Sequence, residues 1–379
     1  MSLILNGTSG LTFNDTSTLG TSPGAWQSVQ TTSFAATAGN AYPVNTTSAA
    51  VTVTLPASPT AGQSIILTDY AGTWATNALT INPNGLKLDG LAINGTQSTN
   101  RATVSLVYVD TNQGWITYSN VTPAQTYSIN YLVVAGGGGG GSQVTGTLNG
   151  GGGGAGGFLS STTSVIPTTA YSITIGSGGA IDTNGSNSIF GSIATSIGGG
   201  KGAGTGTSVT GGNGGSGGGG CAGPGTSGGT GTSGQGYAGG TGNTGGAFIG
   251  GGGGGASAAG ANGSVSGNGG NGTSSSITGS AVTYAGGGGG GGNGGSYGAG
   301  GTGGGGRGGT NVSNSAVAGS ANTGGGGGGS GNNTDPAAAG GSGIVIISYA
   351  GAQRGTGGTV TSSGGNTIHT FTTSGTYTA

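Results

Sequence analysis

The chain contains no glutamate, one cysteine, one histidine and one methionine, and only 3% of its 379 residues are charged. Each shortage excludes something. With Cys221 alone, neither an intrachain disulfide nor a cysteine-based metal cluster can form. A formal net charge of −1 leaves no electrostatic case for nucleic acid or an anionic membrane. No apolar run is long enough to span a bilayer. So few charges and helix formers predict almost no α-helix. The opening Met1-Ser2-Leu3-Ile4-Leu5-Asn6-Gly7 lacks a basic n-region and a proper apolar core. The expectation is therefore no signal peptide, with release by lysis or assembly inside a cell.

The same scarcity argues against catalysis. The aspartates, Asp15, Asp69, Asp89, Asp110, Asp182 and Asp335, are scattered singly in turn contexts, where the side chain serves its own local hydrogen bonds. His369 sits in the alternating strand Thr367-Ile368-His369-Thr370-Phe371, and no Ser-His-Asp set can be assembled around it. Gly200-Lys201 is followed by Gly202, and Thr195 stands where a phosphate loop needs its first glycine. Asp182 to Asn187 has calcium-loop flavour, but its glycine comes two positions early, and an Asn-Gly turn reads better. The expectation is a protein that is not an enzyme and holds no cofactor or metal.

What is abundant is glycine, 105 residues of it, concentrated between two brackets. Tyr131-Leu132-Val133-Val134-Ala135 opens directly into six glycines, and Gly340-Gly341-Ser342-Gly343 closes directly into Ile344-Val345-Ile346-Ile347-Ser348-Tyr349. Both brackets read as fully buried strands. Uninterrupted glycines recur at 136–141, 150–154, 250–255, 286–292 and 324–329. Impure runs such as 198–202 and 303–309 contain Lys201 and Arg307, and spacers such as 256–266 and 310–323 lie between.

Glycine-rich sequence is commonly flexible linker, and ordering it costs backbone entropy at about 1–2 kcal/mol per residue. A linker, however, has no use for this alternation. An extended helix of three residues per turn does, since it has no internal hydrogen bonds and directs every N–H and C=O at a neighbour. The expectation is a bundle with pure runs inside and impure runs at its edge. Six residues at about 3.1 Å each give runs of roughly 19 Å. The scaffold strands are expected at 131–134, 158–162, 171–175 and 344–349, and the bundle insertion at about 198–340.

Upstream, residues 1–25 are threonine-rich and read as an attachment segment. Residues 26–120 carry regularly spaced strands. Val51-Thr52-Val53-Thr54-Leu55 alternates up to Pro56, and Ser64 to Tyr70, Ala78 to Ile81, Thr103 to Val109 and Gly114 to Tyr118 follow. A β-sandwich or β-roll is expected, with Trp26, Trp74 and Trp115 in its core. Residues 121–130 are a connector, and 131–349 form the glycine-rich domain. The predicted class is all-β: a sandwich-like domain followed by a β-scaffold bearing polyglycine-type helices.

Tyr42 to Ser48, Val51 to Pro59, Asp69 to Asn77 and Leu106 to Asp110 resemble a β-domain of tail-fibre proteins of marine tailed phages. Tyr131 to Gly141, Gly150 to Phe158, Tyr171 to Gly179, Ser188 to Gly191, the glycine runs and Gly341 to Tyr349 are similar to the glycine-rich domain of phage tail-fibre and adhesin proteins. The resemblance implies an extracellular virion protein that is homotrimeric and recognises a bacterial surface protein or glycan. It also implies an N-terminus held by other tail proteins. Bulky residues stranded among glycines are the receptor-binding candidates: Tyr237, Phe248, Ile249, Tyr284, Tyr297 and Arg307, because aromatics and arginine dominate interface energetics. Two other classes stay open, a self-assembling structural filament and an ice-binding protein. Threonines lack the regular three-residue spacing that ice binding would use.

Residues 350–379 depart from the family pattern. Gly357 to Thr378 resembles the strand pair that normally precedes the Tyr-Leu-Val-Val bracket, yet here it follows the closing strand. It can fold back beside 131–134 of its own chain or complete that sheet in a neighbouring subunit by strand addition, and closure within the chain or its own trimer is expected over an open head-to-tail filament.

Overall fold

The computed structural model describes residues 25–117, 122–123, 126–143, 149–204, 209–223, 226–243, 245, 248–310, 315–331 and 336–379, and the backbone of 4–6, 10–12 and 18–19. The described residues contain no α-helix, and the class is all-β. Two compact units divide at Gln125 and Thr126.

The first unit opens with strands β1 (Ile4–Asn6), β2 (Gly10–Thr12) and β3 (Thr18–Leu19), which form a small antiparallel sheet. The remaining residues 1–25 of the expected attachment segment lie outside the described ones, apart from Ala25. Next come β4 (Ala25–Trp26), β5 (Phe34–Ala35), β6 (Asn40–Val44), β7 (Val51–Thr54), β8 (Ser64–Asp69) and β9 (Leu79–Asn82). Successive strands alternate between two sheets, and within each sheet they run parallel: β4, β6 and β8 in one, β5, β7 and β9 in the other. This is a two-sided β-roll. Strands β10 (Gly95–Gln97), β11 (Thr103–Asp110), β12 (Gly114–Thr117) and β13 (Thr122–Pro123) then close it with antiparallel pairs.

Alternation fills the interior of the roll. Val51 and Val53 point in while Thr52 and Thr54 stay half-exposed, and Ile65, Leu67, Val104 and Leu106 face them with Trp74 and Trp115. Trp26 corrects the expectation of three core tryptophans. It lies on the outermost strand, next to one neighbour only, and is 62% exposed. Asp69 is buried at the end of β8. Its carboxylate accepts the backbone N–H groups of Gly72 (2.9 Å), Thr73 (3.2 Å), Trp74 (3.4 Å) and Arg101 (2.9 Å).

The second unit is built on β14 (Tyr127–Val134), β15 (Phe158–Val165), β16 (Ala170–Thr174), β17 (Ser188–Phe190), β18 (Ala194–Ser196), β19 (Thr273–Ser275), β20 (Val282–Tyr284), β21 (Ile344–Ala350), β22 (Thr359–Ser363), β23 (Asn366–Phe371) and β24 (Gly375–Thr378). One sheet has the order β15-β14-β21-β23-β22, and a second has β18-β17-β16-β24. Between them lie Tyr127, Ile129, Val133, Phe190, Val345, Ile347 and Tyr377. The outer face of the first sheet is covered too, with Leu132, Val134, Ile344 and Ile346 packed against Ala155, Tyr284 and Ala285. Burial on both faces is why these bracket strands are continuously apolar rather than alternating.

The C-terminal strands close this sandwich within the chain, but not where expected. The strand beside β14 is β21, so β23 pairs with β21 instead, and β24 pairs with β16 in the other sheet. Residues 350–379 are thus part of the scaffold. His369, fully buried, donates from Nδ1 to Gly357 O (2.8 Å) and accepts the Tyr349 hydroxyl at Nε2 (2.9 Å). Tyr349 in turn accepts the N–H groups of Arg354 and Gly355, and the Tyr127 and Tyr377 hydroxyls meet at 2.8 Å. Desolvation pushes the Tyr377 phenol far above its ordinary range, so it stays neutral.

Candidate recognition surface at the loop end of the glycine bundle

The glycine runs bond sideways with a period of three. Gly136 and Gly139 donate to Ser186 and Thr183, Gly137 and Gly140 to Gly341 and Ala338, and Gly138 and Gly141 to Gly154 and Gly151. The carbonyls of the same residues accept from three further segments: Gly199 and Gly202, Gly179 and Asp182, Gly327 and Ser330. The run is therefore bonded on all sides, each third residue addressing the same neighbour. Residues 150–157 are enclosed likewise, donating to 324–330, 197–203 and 251–254. All five pure runs are buried along their whole length, whereas Lys201 and Arg307 in the impure runs reach partial exposure. The bundle is also wider than the expected 198–340, because 136–141 and 150–157 lie at its centre.

Side chains are excluded from that centre by backbone. A Cβ on Gly152 would stand 2.5 Å from the carbonyl carbon of Gly288, and one on Gly326 2.7 Å from that of Gly153. At the perimeter, side chains project once per three residues: Ser177 and Ala180, Ala238 and Thr241, Asn268 and Asn271, and Ser296, Ala299 and Thr302 are exposed. The rows mix serine, alanine, asparagine and threonine.

The run ends fall into two sets. At one end, Ala135 bonds to Gly157, Gly157 to Ile197, Ala256 to Ala285, Ala285 to Thr323 and Gly324 to Ser342, next to the scaffold strands. At the other end, Gly141 bonds to Gly151, Gly151 to Ala203, Ala203 to Gly219, Asn243 to Ile249, Gly250 to Gly291, Gly292 to Gly309 and Ser330 to Gly141. There the turn at Ala180–Thr183 is pinned by Asp182, whose carboxylate accepts both the N–H (2.9 Å) and the hydroxyl of Ser142.

This loop end carries exposed apolar side chains. Ile181, Val209, Val265 and Tyr297 are exposed, Val265 at 80%. The guanidinium of Arg307 lies 5.4 Å from the centre of the Tyr297 ring, a cation–π pair at the rim. Of the six residues singled out in the sequence, the structure therefore brings Tyr297 and Arg307 together. Phe248 is half-buried at the same end, its carbonyl held by the Asn149 amide, and the adjacent Ile249 is buried. Tyr237 is exposed but belongs to the scaffold end, bonded to Gly255. Tyr284 corrects the expectation. It is buried against the sheet, and desolvation pushes its phenol up. Sequence reasoning passed over Ile181, Val209 and Val265, which are aliphatic residues inside polar turns; an isolated apolar residue in a turn was the available signal. Cys221 is buried at this end, and burial raises its thiol.

A family model described as a glycine-rich domain matches residues 111–350. No curated protein matches the chain.

Proposed function

We propose that this chain, which belongs to the glycine-rich domain family, is a tail fibre or distal adhesin of a tailed bacteriophage. In this reading the runs are polyglycine-type helices that hold the loops rigidly, and the loops recognise a bacterial surface protein or glycan without catalysis. The protein is extracellular, part of a virion, and trimeric, with its N-terminal unit joined to other tail proteins. The observation that carries the reading is the polarity of the bundle. Scaffold strands gather at one end, and the other end carries the exposed side chains of Ile181, Val209, Val265 and Tyr297. Loops on a rigid frame are where binding residues concentrate, since they vary without disturbing the frame.

The test is adsorption of fluorescently labelled protein to a panel of bacterial cells. A variant carrying Val265→Ser, Tyr297→Ser and Arg307→Ser should lose most cell binding while melting as the parent does. Retained binding by the folded variant would remove the loop end as the receptor site. No binding to any cell by the parent would remove the adhesin reading itself.

A further inference from the structure

In the interior, an N–H that points away from its own run finds the carbonyl of another run. On the perimeter, some N–H groups are met by a side chain instead of a run. At several of these positions an asparagine side chain from the adjacent run supplies the oxygen. Asn184 accepts from Lys201 N (2.8 Å) and Asn187 from Gly198 N (2.9 Å). Asn268 accepts from Ala299 N (2.8 Å) and Asn271 from Thr302 N (3.1 Å). Asn213 does the same for Thr230 N (2.8 Å), and Asn262 for Thr241 N (3.0 Å). The two pairs are spaced by three residues, the repeat of the runs, so successive asparagines fall in one groove.

We propose that these asparagines terminate the bundle: each occupies the groove in which a glycine run of a second copy of this chain would otherwise lie. The carboxamide oxygen takes the place of that run's carbonyl, at the same distance and on the same donor. The problem is the one an exposed sheet edge poses, since a row of unpaired backbone groups is a template for another chain. Sheets protect their edges with charge, and this perimeter has almost none. Serine does this where segments lie closer, as Ser342 accepts from Asn322 N (2.9 Å), and alanine offers no acceptor. Asparagine is the shortest neutral side chain that reaches across with a carbonyl. The inference is independent of the adhesin reading, because it concerns the sides of the bundle and not its loops.

The test opens the grooves in the full-length protein. Two variants, N184G/N187G and N268G/N271G, each clear one groove. The control A238G/A259G removes perimeter side chains that accept no backbone N–H. Sedimentation velocity from about 1 to about 100 μM, the range in which exposed surface drives association, should show a rise in mass with concentration for both variants. The parent and the control should keep one mass throughout. If the folded variants sediment as the parent does, or if the control associates equally, the proposal is overturned. Amide exchange in the parent provides a reading that needs no variant. The Lys201 and Thr302 N–H groups should be protected although their residues lie on the perimeter, and free exchange there would also overturn it.

Discussion

Replacing Gly289 by alanine asks whether the centre of the bundle is closed by backbone. The new Cβ would stand 2.5 Å from the carbonyl carbon of Gly298 and 2.9 Å from the oxygen of Ala299, where real Cβ atoms are essentially never found. Neither neighbour is a side chain that can rotate aside. Relief requires moving the run that contains Gly298, which donates to Gly290 and accepts from Gly308. The cost belongs at the upper end of the overpacking range, about 3 kcal/mol. The lost bonds of Gly289 to Gly306 and of Gly329 to Gly289 add about 1 kcal/mol each. The reduced entropy of the unfolded chain returns only about 0.4–1 kcal/mol. For a unit of this size, a loss near 4 kcal/mol lowers the melting temperature by roughly 8–16 °C. The control is Gly375→Ala in β24, where the nearest atom to a new Cβ is 3.9 Å away in Phe371 and the melting temperature should shift by no more than about 3 °C. Gly304 is unsuitable as an edge control despite its place in an impure run. Its φ is +93°, and a Cβ would meet the Thr323 side chain. Thermal melts followed by far-ultraviolet circular dichroism decide the matter. Equal melting of G289A and G375A would refute a backbone-sealed interior.

Asp69→Asn leaves two of the four N–H donors facing an amide group instead of an oxygen, which should cost about 1–3 kcal/mol at neutral pH. Burial pushes this carboxyl up, but the donated N–H groups of Arg101, Thr73, Trp74 and Gly72 outweigh it and hold it below the usual carboxylate range. Its contribution is therefore present above the unfolded value of about 3.9 and lost as pH falls through the folded one. The gap between parent and D69N should shrink in acid, and an unchanged gap in urea titrations at neutral and acid pH would contradict this account. Deleting residues 357–379 removes β22, β23 and β24 and with them the burial of Ile368, Phe371 and Tyr377, at about 1.5–3 kcal/mol each. The truncated protein should melt well below the parent and recover when the free 357–379 peptide is added; unchanged melting would show the tail to be merely appended.

Much of this architecture is legible in the residues. The brackets at Tyr131 and Ile344 announce strands buried on both faces, because nothing else explains apolar runs without alternation. The contrast between pure and impure glycine runs anticipates which lie inside, since a run enclosed all round admits no Cβ. Pairing order is not legible. Val51 to Leu55 alternates identically in a sandwich and in a roll, and only the parallel partners of β7 distinguish the two. Tyr284 looked stranded among glycines, but the turn between β19 and β20 carries it onto the sheet from far along the chain. Trp26 looked like core, and an outermost strand left it bare. In each case the deciding partner is remote in sequence.

The period-three bonding also bears on how the chain finds its arrangement. A glycine run slid along its axis by one repeat meets the same N–H and C=O groups as before, and any interior run could stand in the place of another. The centre of the bundle therefore stores no address. Placement must be dictated from outside it: by the lengths of the spacers, by the apolar brackets that fix where the first and last runs begin, and by the asparagines and the Asp182 turn that recognise one neighbour and not another. Shortening a spacer by three residues is accordingly a subtler injury than changing a glycine, since it yields a well-bonded bundle with its loops in the wrong order.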